Sequence, residues 1–509
     1  MNRTKNAIRN IFFGFFNKMI MLIFPFFIRS AIIKNLGTEF LGLNSLFISI
    51  LQVLNLAELG FSSAIVYSMY KPIAEKNTKM VCALLNLYKK IYRCIGIIIF
   101  TIGILLLPFL KNLISGPCPK NINIYILYLI YLFNTSITYF LFAYRNSLLV
   151  AHQRNDIVSN VQMIINILQY ILQIIVLYYL KNYYYFLIIQ IISTVLNNLF
   201  IAIISKKMYP NYYCDGKLDN QTKKGIKKRV MGLLIQRICS TTRNSLDSIF
   251  ISMFIGLNAV AIYSNYYSIM NSIIGITSII TVSITAGIGN SIVTESKQKN
   301  YNDMNKFNFM YMWISGWFTI CLLCLYQPFM KLWMGENMTF PFSVVILFCI
   351  YYYSLKMGDI RATYSDAKGL WYENRYRAIA ESIANILLNL ILGKLFGIYG
   401  IIIGTLLSLL VINFGYGSQI LFKYYFTEQD IKTYYLNHAI YFFITFIVGV
   451  VTYLICSTVV IESIVGLIIK MLICIVIPNI LYVIIYHNSD YYKLFKQMVI
   501  KLKKNFEKR

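Results

Sequence analysis

The sequence predicts an all-α polytopic membrane protein of about fourteen transmembrane helices. Three observations carry this expectation. Of 509 residues, 58% are hydrophobic and only 13% are charged, against about 25% charged in an ordinary globular domain, and the mean hydropathy is +0.63. The apolar residues come in blocks of about 20, the length that crosses roughly 30 Å of hydrocarbon. The net charge of +28 sits mostly in alternate loops, the pattern of a chain oriented by its cytoplasmic cations rather than that of a nucleic-acid binder.

The expected segments fall near 10–33, 41–70, 82–109, 122–150, 157–180, 184–204, 231–254, 259–289, 308–329, 341–358, 378–395, 399–422, 437–457 and 463–486. Met1–Asn10 is short and basic and runs into Ile11–Ile33. That stretch is too long for a signal-peptide core and lacks a small-x-small cleavage site, so it reads as a retained first span. With the N-terminus inside, the inner loops carry Lys71, Lys76 and Lys79, then Arg154, then eight cations from Lys206 to Arg229. Further along come Lys297, Lys299 and Lys306, then Arg361, Lys368, Arg375 and Arg377, then Lys423 and Lys432, and the basic tail. Outer loops hold singles such as Lys34, Lys120, Lys181 and Lys331. This asymmetry places both termini in the cytoplasm.

The long polar stretch 205–230 divides the chain. The expected domains are a six-helix lobe over 1–204, a cytoplasmic loop over 205–230, a second six-helix lobe over 231–425, and an accessory pair with a basic tail over 426–509. An offset of 219 residues, the separation of Lys18 and Arg237, also aligns Gly37 with Gly256, Ser45 with Ser264, Asn155 with Asn374, Gln162 with Glu381 and Asn166 with Asn385. Polar identities inside apolar helices point to duplicated halves, a transporter plan whose substrate site lies between the repeats.

Charge deep in a bilayer is costly and faces protein or a water-filled interior. Lys18 and Arg29 are 11 residues apart, close to three helical turns, so they share a face, with Pro25 between them. Gln236, Ser240, Arg243 and Asp247 form a one-sided stripe flanked by Arg237 and Asn244. Gln162, Asn166, Gln169 and Gln173 form another, with shorter ones at Asn55, Glu58 and Ser62 and at Glu381, Asn385 and Asn389. The plain alternative is helix–helix hydrogen bonding, with Arg243 and Asp247 as an i, i+4 pair. Lys18, Arg29 and Arg237 have no acid at helical contact spacing, which favours a cationic lumen suited to phosphate or pyrophosphate. Lys18, Arg29, Arg237 and Arg243 are therefore the candidate substrate-binding residues. Asn55, Gln162, Asn166 and Asn385 are lumen-stripe candidates, and Glu58, Asp247 and Glu381 are candidate ion-coupling sites.

The ten cysteines lie nearly all in apolar runs; the nearest pair, Cys321 and Cys324, lacks the further ligands of a zinc site, so they read as small apolar side chains. His152, His438 and His487 are far apart and receive no role. No cofactor or metal is expected, and no Walker motif appears.

Six stretches in order carry a resemblance: TKNAIRNIFFG, NLAELGFSSAIVYSMYKPIA, YRNSLLVAHQRND, IGLNAVAIYSNY, DAKGLWYENRYRAIAESIANILLN and FGIYGIIIGTLLSLL. Over about residues 1–425 the chain resembles the Wzx-type flippases of O-antigen and capsule repeat units, within the multidrug/oligosaccharidyl-lipid/polysaccharide exporter superfamily. The resemblance implies a MATE-like fold of two lobes around a central cavity. It further implies an undecaprenyl-pyrophosphate-linked oligosaccharide as cargo, a bacterial plasma-membrane location, and a polysaccharide polymerase and chain-length regulator as partners, with no nucleic acid. Other readings stay open: a lipid II or teichuronic-acid-type flippase, a multidrug antiporter, whose cationic cargo would favour lumen acids, and a membrane polysaccharide polymerase, which generally needs a large outer catalytic loop. Gly37, Gly42 and Gly60 suit turns or close packing, and Arg375, Tyr376, Arg377 and Trp371 read as inner-interface anchors.

Overall fold

A computed structural model describes the backbone of residues 3–55, 61–116, 118–119, 122–459 and 463–493, and their side chains except at 3–16, 63–64, 227–240, 242–244 and 286. Among the described residues every regular element is helical. The helices are α1 (Arg3–Asn35), α2 (Thr38–Leu54), α3 (Phe61–Ala74), α4 (Thr78–Leu105), α5 (Ile124–Phe140), α6 (Asn146–Ala151), α7 (Asn155–Tyr179), α8 (Tyr183–Met208) and α9 (Asn220–Phe254). They continue with α10 (Leu257–Thr294), α11 (Lys297–Met334), α12 (Phe342–Met357), α13 (Asp359–Lys368), α14 (Arg375–Leu407), α15 (Gly417–Tyr424), α16 (Ile431–Ser457) and α17 (Ile464–Tyr486).

Polar side chains start these helices. Asn77, Asn123, Asn182, Asp219, Ser296, Asp430 and Ser463 each accept a hydrogen bond from an amide of the first turn. In so apolar a chain these caps satisfy backbone donors that the helix itself leaves open.

Each of the fourteen expected segments falls on helix, with instructive departures. The 41–70 segment divides into α2 and α3, and residues 56–60, including Glu58 and Gly60, lie outside the described residues. The 82–109 segment bends by 60° after Leu105 into a 3₁₀ turn, and the 122–150 segment bends by 49° around Phe142, whose φ is 52°. The expected 205–230 loop is largely helix: α8 persists to Met208 and α9 begins at Asn220. The Asp219 carboxylate accepts from the Thr222 amide at 2.8 Å, and the Thr222 hydroxyl and amide hold it below the usual carboxylate range. Lysines that signal a loop by charge are good helix formers once a cap is supplied.

Among the described residues, eight helices are long and apolar enough to cross a membrane, or up to ten with each bent pair as one span. One of these stretches, Arg375–Tyr424, holds 50 residues. It is two spans, because Gly397 (φ 57°, ψ −132°) interrupts the helix. Beyond it the chain doubles back, so that Asn385 meets Thr405 and Glu381 meets Asn413. That backbone conformation is nearly exclusive to glycine. Gly400 lies against the Leu392 carbonyl, and Gly404 lies against Asn389. α2 is short for a span, at 17 residues. The outer faces of α16 and α17 expose Phe443, Phe446, Leu454, Leu472 and Ile484. So much contiguous apolar surface is a lipid-facing surface, and the chain is a multi-pass membrane protein.

The chain forms two compact units, Met1–Ala261 and Ile262–Arg509. In the first, α1 lies along α7, α7 on α8, α4 on α5, and α2 on α9. In the second, α11 is the hub, touching α12, α13, α16 and α17. Trp313 donates to Asn479 Oδ1 at 3.0 Å and Trp317 to the Cys474 carbonyl at 2.7 Å, fastening α17 to α11. The largest fully buried side chains are all tyrosines, among them Tyr88, Tyr183, Tyr266, Tyr311 and Tyr352. Several hydroxyls are used across helices, as Tyr131 to Tyr183 at 2.7 Å and Tyr266 to Gln327 at 3.0 Å. Gly37 and Gly256, aligned by the 219-residue offset, have φ of 111° and 119° at matching helix–helix turns.

The Gly397 hairpin gives a direct test. Gly397→Ala should lower stability by about 1–3 kcal/mol through backbone strain. Gly404→Val should cost more, because a Cβ there comes within 2.6 Å of Asn389 Oδ1 and 3.1 Å of the Asn389 backbone nitrogen. Melting in detergent reads both; a Gly397→Ala protein as stable as wild type would contradict the hairpin geometry.

Candidate functional site

In the second unit the hairpin of α14 and α15 carries a buried charge network. α14 begins just after Asn374, and Arg377 and Glu381 stand one turn apart on its inward face, with Arg377 Nη1 donating to Glu381 Oε2 at 2.7 Å. Arg377 Nε donates to Asn374 Oδ1 at 3.2 Å, and Asn374 Nδ2 donates to Ser365 Oγ at 2.7 Å. On the returning strand of the hairpin, residues Ser408–Tyr416 widen into a π-helix, a local expansion often found at functional positions. It presents Asn413, whose Nδ2 donates to the same Glu381 oxygen at 2.8 Å and whose Oδ1 accepts from Arg361 Nη2 at 3.0 Å. Arg361 comes from α13 and lies over Gly417, where a Cβ would collide with the guanidinium.

Arg361, Arg377 and Glu381 are 3%, 9% and 4% exposed. Arg377 thus meets the carboxylate directly, while Arg361 is tied to it through Asn413 and also feels Asp366. The Arg361 Nε has no hydrogen-bond partner, so the fork that recognises carboxylate or phosphate is not saturated. His438 of α16 closes the floor, bonded to Asn308 at 2.9 Å and edge-on to Phe414. A second ion pair, its lysine buried and its aspartate half-buried, lies in the same unit. Lys356 Nζ sits 2.8 Å from Asp359 Oδ2, which also accepts from the Tyr311 hydroxyl at 2.5 Å.

Arg361 and Arg377 were expected among inner-loop cations, and Arg377 as an interface anchor. Both are instead turned inward, because Glu381 and Asn413 offer them partners that lipid cannot. Arg375 does sit at the surface, its guanidinium 3.2 Å from the Tyr372 ring centre and 4.4 Å from that of Tyr376, next to exposed Trp371. The Arg377–Glu381 i, i+4 spacing was the available signal for this network. His438 carried none.

Of the lumen candidates, Lys18 is exposed and Arg29 is half-buried on α1. The side chains of Arg237 and Arg243, and all of Glu58, lie outside the described residues. Asp247 is buried on α9, two residues from Ser245, which donates to Gln52 at 3.0 Å. The amide stripe is engaged between helices: Asn17 donates to Gln162 at 3.3 Å, Tyr139 to Asn55 at 3.3 Å, and Gln173 to the Phe186 carbonyl at 3.1 Å. Asn166 is half-buried on the same face of α7. Asn385 is fully buried and donates to Thr405 at 3.0 Å within the hairpin. Glu381 is held by Arg377 and Asn413 as described. Within the first unit, Ser62, Tyr67, Tyr70, Tyr92, Asn146 and Ser147 line a cavity of about 370 Å³. Ring faces beside amides and hydroxyls suit a polar ring ligand.

Residues 7–286 match the sequence family described as Polysaccharide biosynthesis protein. Among solved structures, the chain is similar to the lipid II flippase MurJ in an inward closed conformation, with a TM-score of 0.64 at 17% identity over 94% of this chain and 99% of that one. An inward-facing multidrug resistance MATE transporter gives 0.59 at 15% identity over 77% and 93%. The Vibrio cholerae MATE transporter VcmN in its bent form gives 0.53 at 14% identity over 86% and 99%. These likenesses establish the fold. No curated protein matches.

Glu381→Gln should leave the buried Arg377 guanidinium without its carboxylate and cost about 3–5 kcal/mol. Removing that stranded charge with Arg377→Met in the same chain should recover a large part of the loss. Thermal melts of the single and double variants in detergent check this; equal losses would show that the ion pair does not hold the hairpin.

Proposed function

The chain belongs to the polysaccharide biosynthesis protein family, and on that premise we propose that it is a flippase for lipid-linked oligosaccharide. In this reading it carries undecaprenyl-pyrophosphate-linked repeat units across the bacterial plasma membrane by alternating access, for O-antigen, capsule or exopolysaccharide assembly. The observation that carries the reading is the family match standing on a flippase-type transporter fold. The sugars and pyrophosphate cross inside a polar path while the lipid tail stays in hydrocarbon. The charged headgroup needs cations where water is scarce, and arginine gives it forked, charge-assisted hydrogen bonds. Lys18, Arg29, Arg237 and Arg243 fill that role, and the Arg361 guanidinium, whose Nε keeps no hydrogen-bond partner, adds to the same recognition chemistry. The tyrosine-lined cavity of the first unit takes a sugar ring by stacking and amide bonding. Duplicated lobes over 1–204 and 231–425, with both termini inside, complete the proposal, and Glu58, Asp247 and Glu381 are the acids through which an ion gradient would act.

A multidrug antiporter shares the fold. It is disfavoured because its cationic cargo would meet basic rather than acidic interior groups. Lipid II is the nearer rival, since its headgroup is also anionic.

Complementation decides. In a strain lacking its repeat-unit flippase, the chain should restore surface polysaccharide, and the Lys18→Ala/Arg237→Ala double variant should not, at equal protein level. Repeat units that reach the outer face but stay unpolymerised when the native gene is deleted would indicate a polymerase and overturn the reading. Tyr67→Ala with Asn146→Ala should slow flipping roughly fivefold, the equivalent of about 1 kcal/mol from one lost stacking contact. An unchanged rate in that variant removes the cavity from the sugar path.

A further inference from the structure

We propose that Cys324, Cys456 and Cys474 form a three-sulfur site for a soft monovalent cation, Cu(I), buried between α11, α16 and α17. Cys324 of α11 meets two cysteines of the consecutive helices α16 and α17, and all three sulfurs lie within 4.8 Å of one another. Cys456 and Cys474 are 3.9 Å apart. A metal bound in a plane by three thiolates at about 2.3 Å has sulfur–sulfur edges of about 4.0 Å. One edge of the triangle already has that length, and the others close with side-chain shifts below about 1 Å.

The surroundings select the ion. The three cysteines are 3%, 2% and 0% exposed, and among the described residues no histidine or carboxylate joins the group. The Lys470 carbonyl stands 4.0 Å from Cys456 Sγ. Zinc prefers a closed tetrahedron of four ligands, whereas an all-sulfur, three-coordinate, water-poor cage suits Cu(I). Packing alone does not require the convergence: Cys349 is equally buried on α12 and lies outside the cluster. Trp317 fixes the Cys474 carbonyl at 2.7 Å and so sets the rotation of α17. Cys456 is the penultimate residue of α16, next to the helix end, where an ion can enter. Binding through three thiolates releases three protons to solvent and leaves the centre with two negative charges. Lys470, one turn before Cys474 on α17, offsets one of them. The bound ion would staple the last two helices to the hub helix.

The test uses the full chain, purified anaerobically in detergent and titrated with Cu(I) against bathocuproine disulfonate. One Cu(I) per chain is expected, with an X-ray absorption spectrum showing three sulfurs at about 2.3 Å and a raised melting temperature. C324S, C456S and C474S should each weaken binding by at least roughly tenfold, while C349S should not. The wild-type spectrum stands without any variant: fewer than three sulfur neighbours, or nitrogen and oxygen in the shell, overturns the proposal. So does a Cys456–Cys474 disulfide found by mass spectrometry in freshly isolated protein, or Cu(I) binding unchanged in all three variants.

Discussion

A guanidinium buried in a membrane bundle must find an acid, and here one does so directly and another through an amide. Glu381 accepts from Arg377 directly, and Asn413 carries its reach to Arg361. Much of the second unit's architecture follows from that constraint. The chain must return on itself at Gly397 for Asn413 to face Glu381, and the π-helical widening turns Asn413 toward it. Gly417 must stay small for the Arg361 side chain to lie over it. Removing water makes the ion pair strong and an unpaired partner expensive, so backbone and charge fix one another.

The helices were legible because lipid allows few alternatives. An apolar run of about 20 residues has little choice but to close its hydrogen bonds internally, so every expected segment fell on helix. The limits were physical as well. Charge alone does not say whether a lysine-rich stretch is loop or helix, and the Asp219 cap settled that for α9. Arg361 looked like its exposed neighbour Lys368 because its burial depends on Asn413, 52 residues away. The cysteines of α11, α16 and α17 gave no spacing signal, since their proximity exists only in the packed bundle.

The candidate transport residues divide along a similar line. Amides of the first unit became inter-helix bonds, as at Asn17 with Gln162 and Tyr139 with Asn55. Such bonds are worth about 1 kcal/mol or less in membranes, weak enough to exchange partners when helices slide. The arginine–glutamate network of the second unit is far stiffer. Gly37 and Gly256, 219 residues apart, each turn the chain with a positive φ between two helices.

The tryptophans add an optical asymmetry. All four, Trp313, Trp317, Trp333 and Trp371, belong to the second compact unit, whereas tyrosines fill the interiors of both. Emission excited at the red edge therefore reports on the second unit alone. Trp317, with its indole on the Cys474 carbonyl, watches the seam between α11 and α17. A single tryptophan placed in the first unit would give that half a voice of its own, so the native chain arrives half-labelled for following its motions by light.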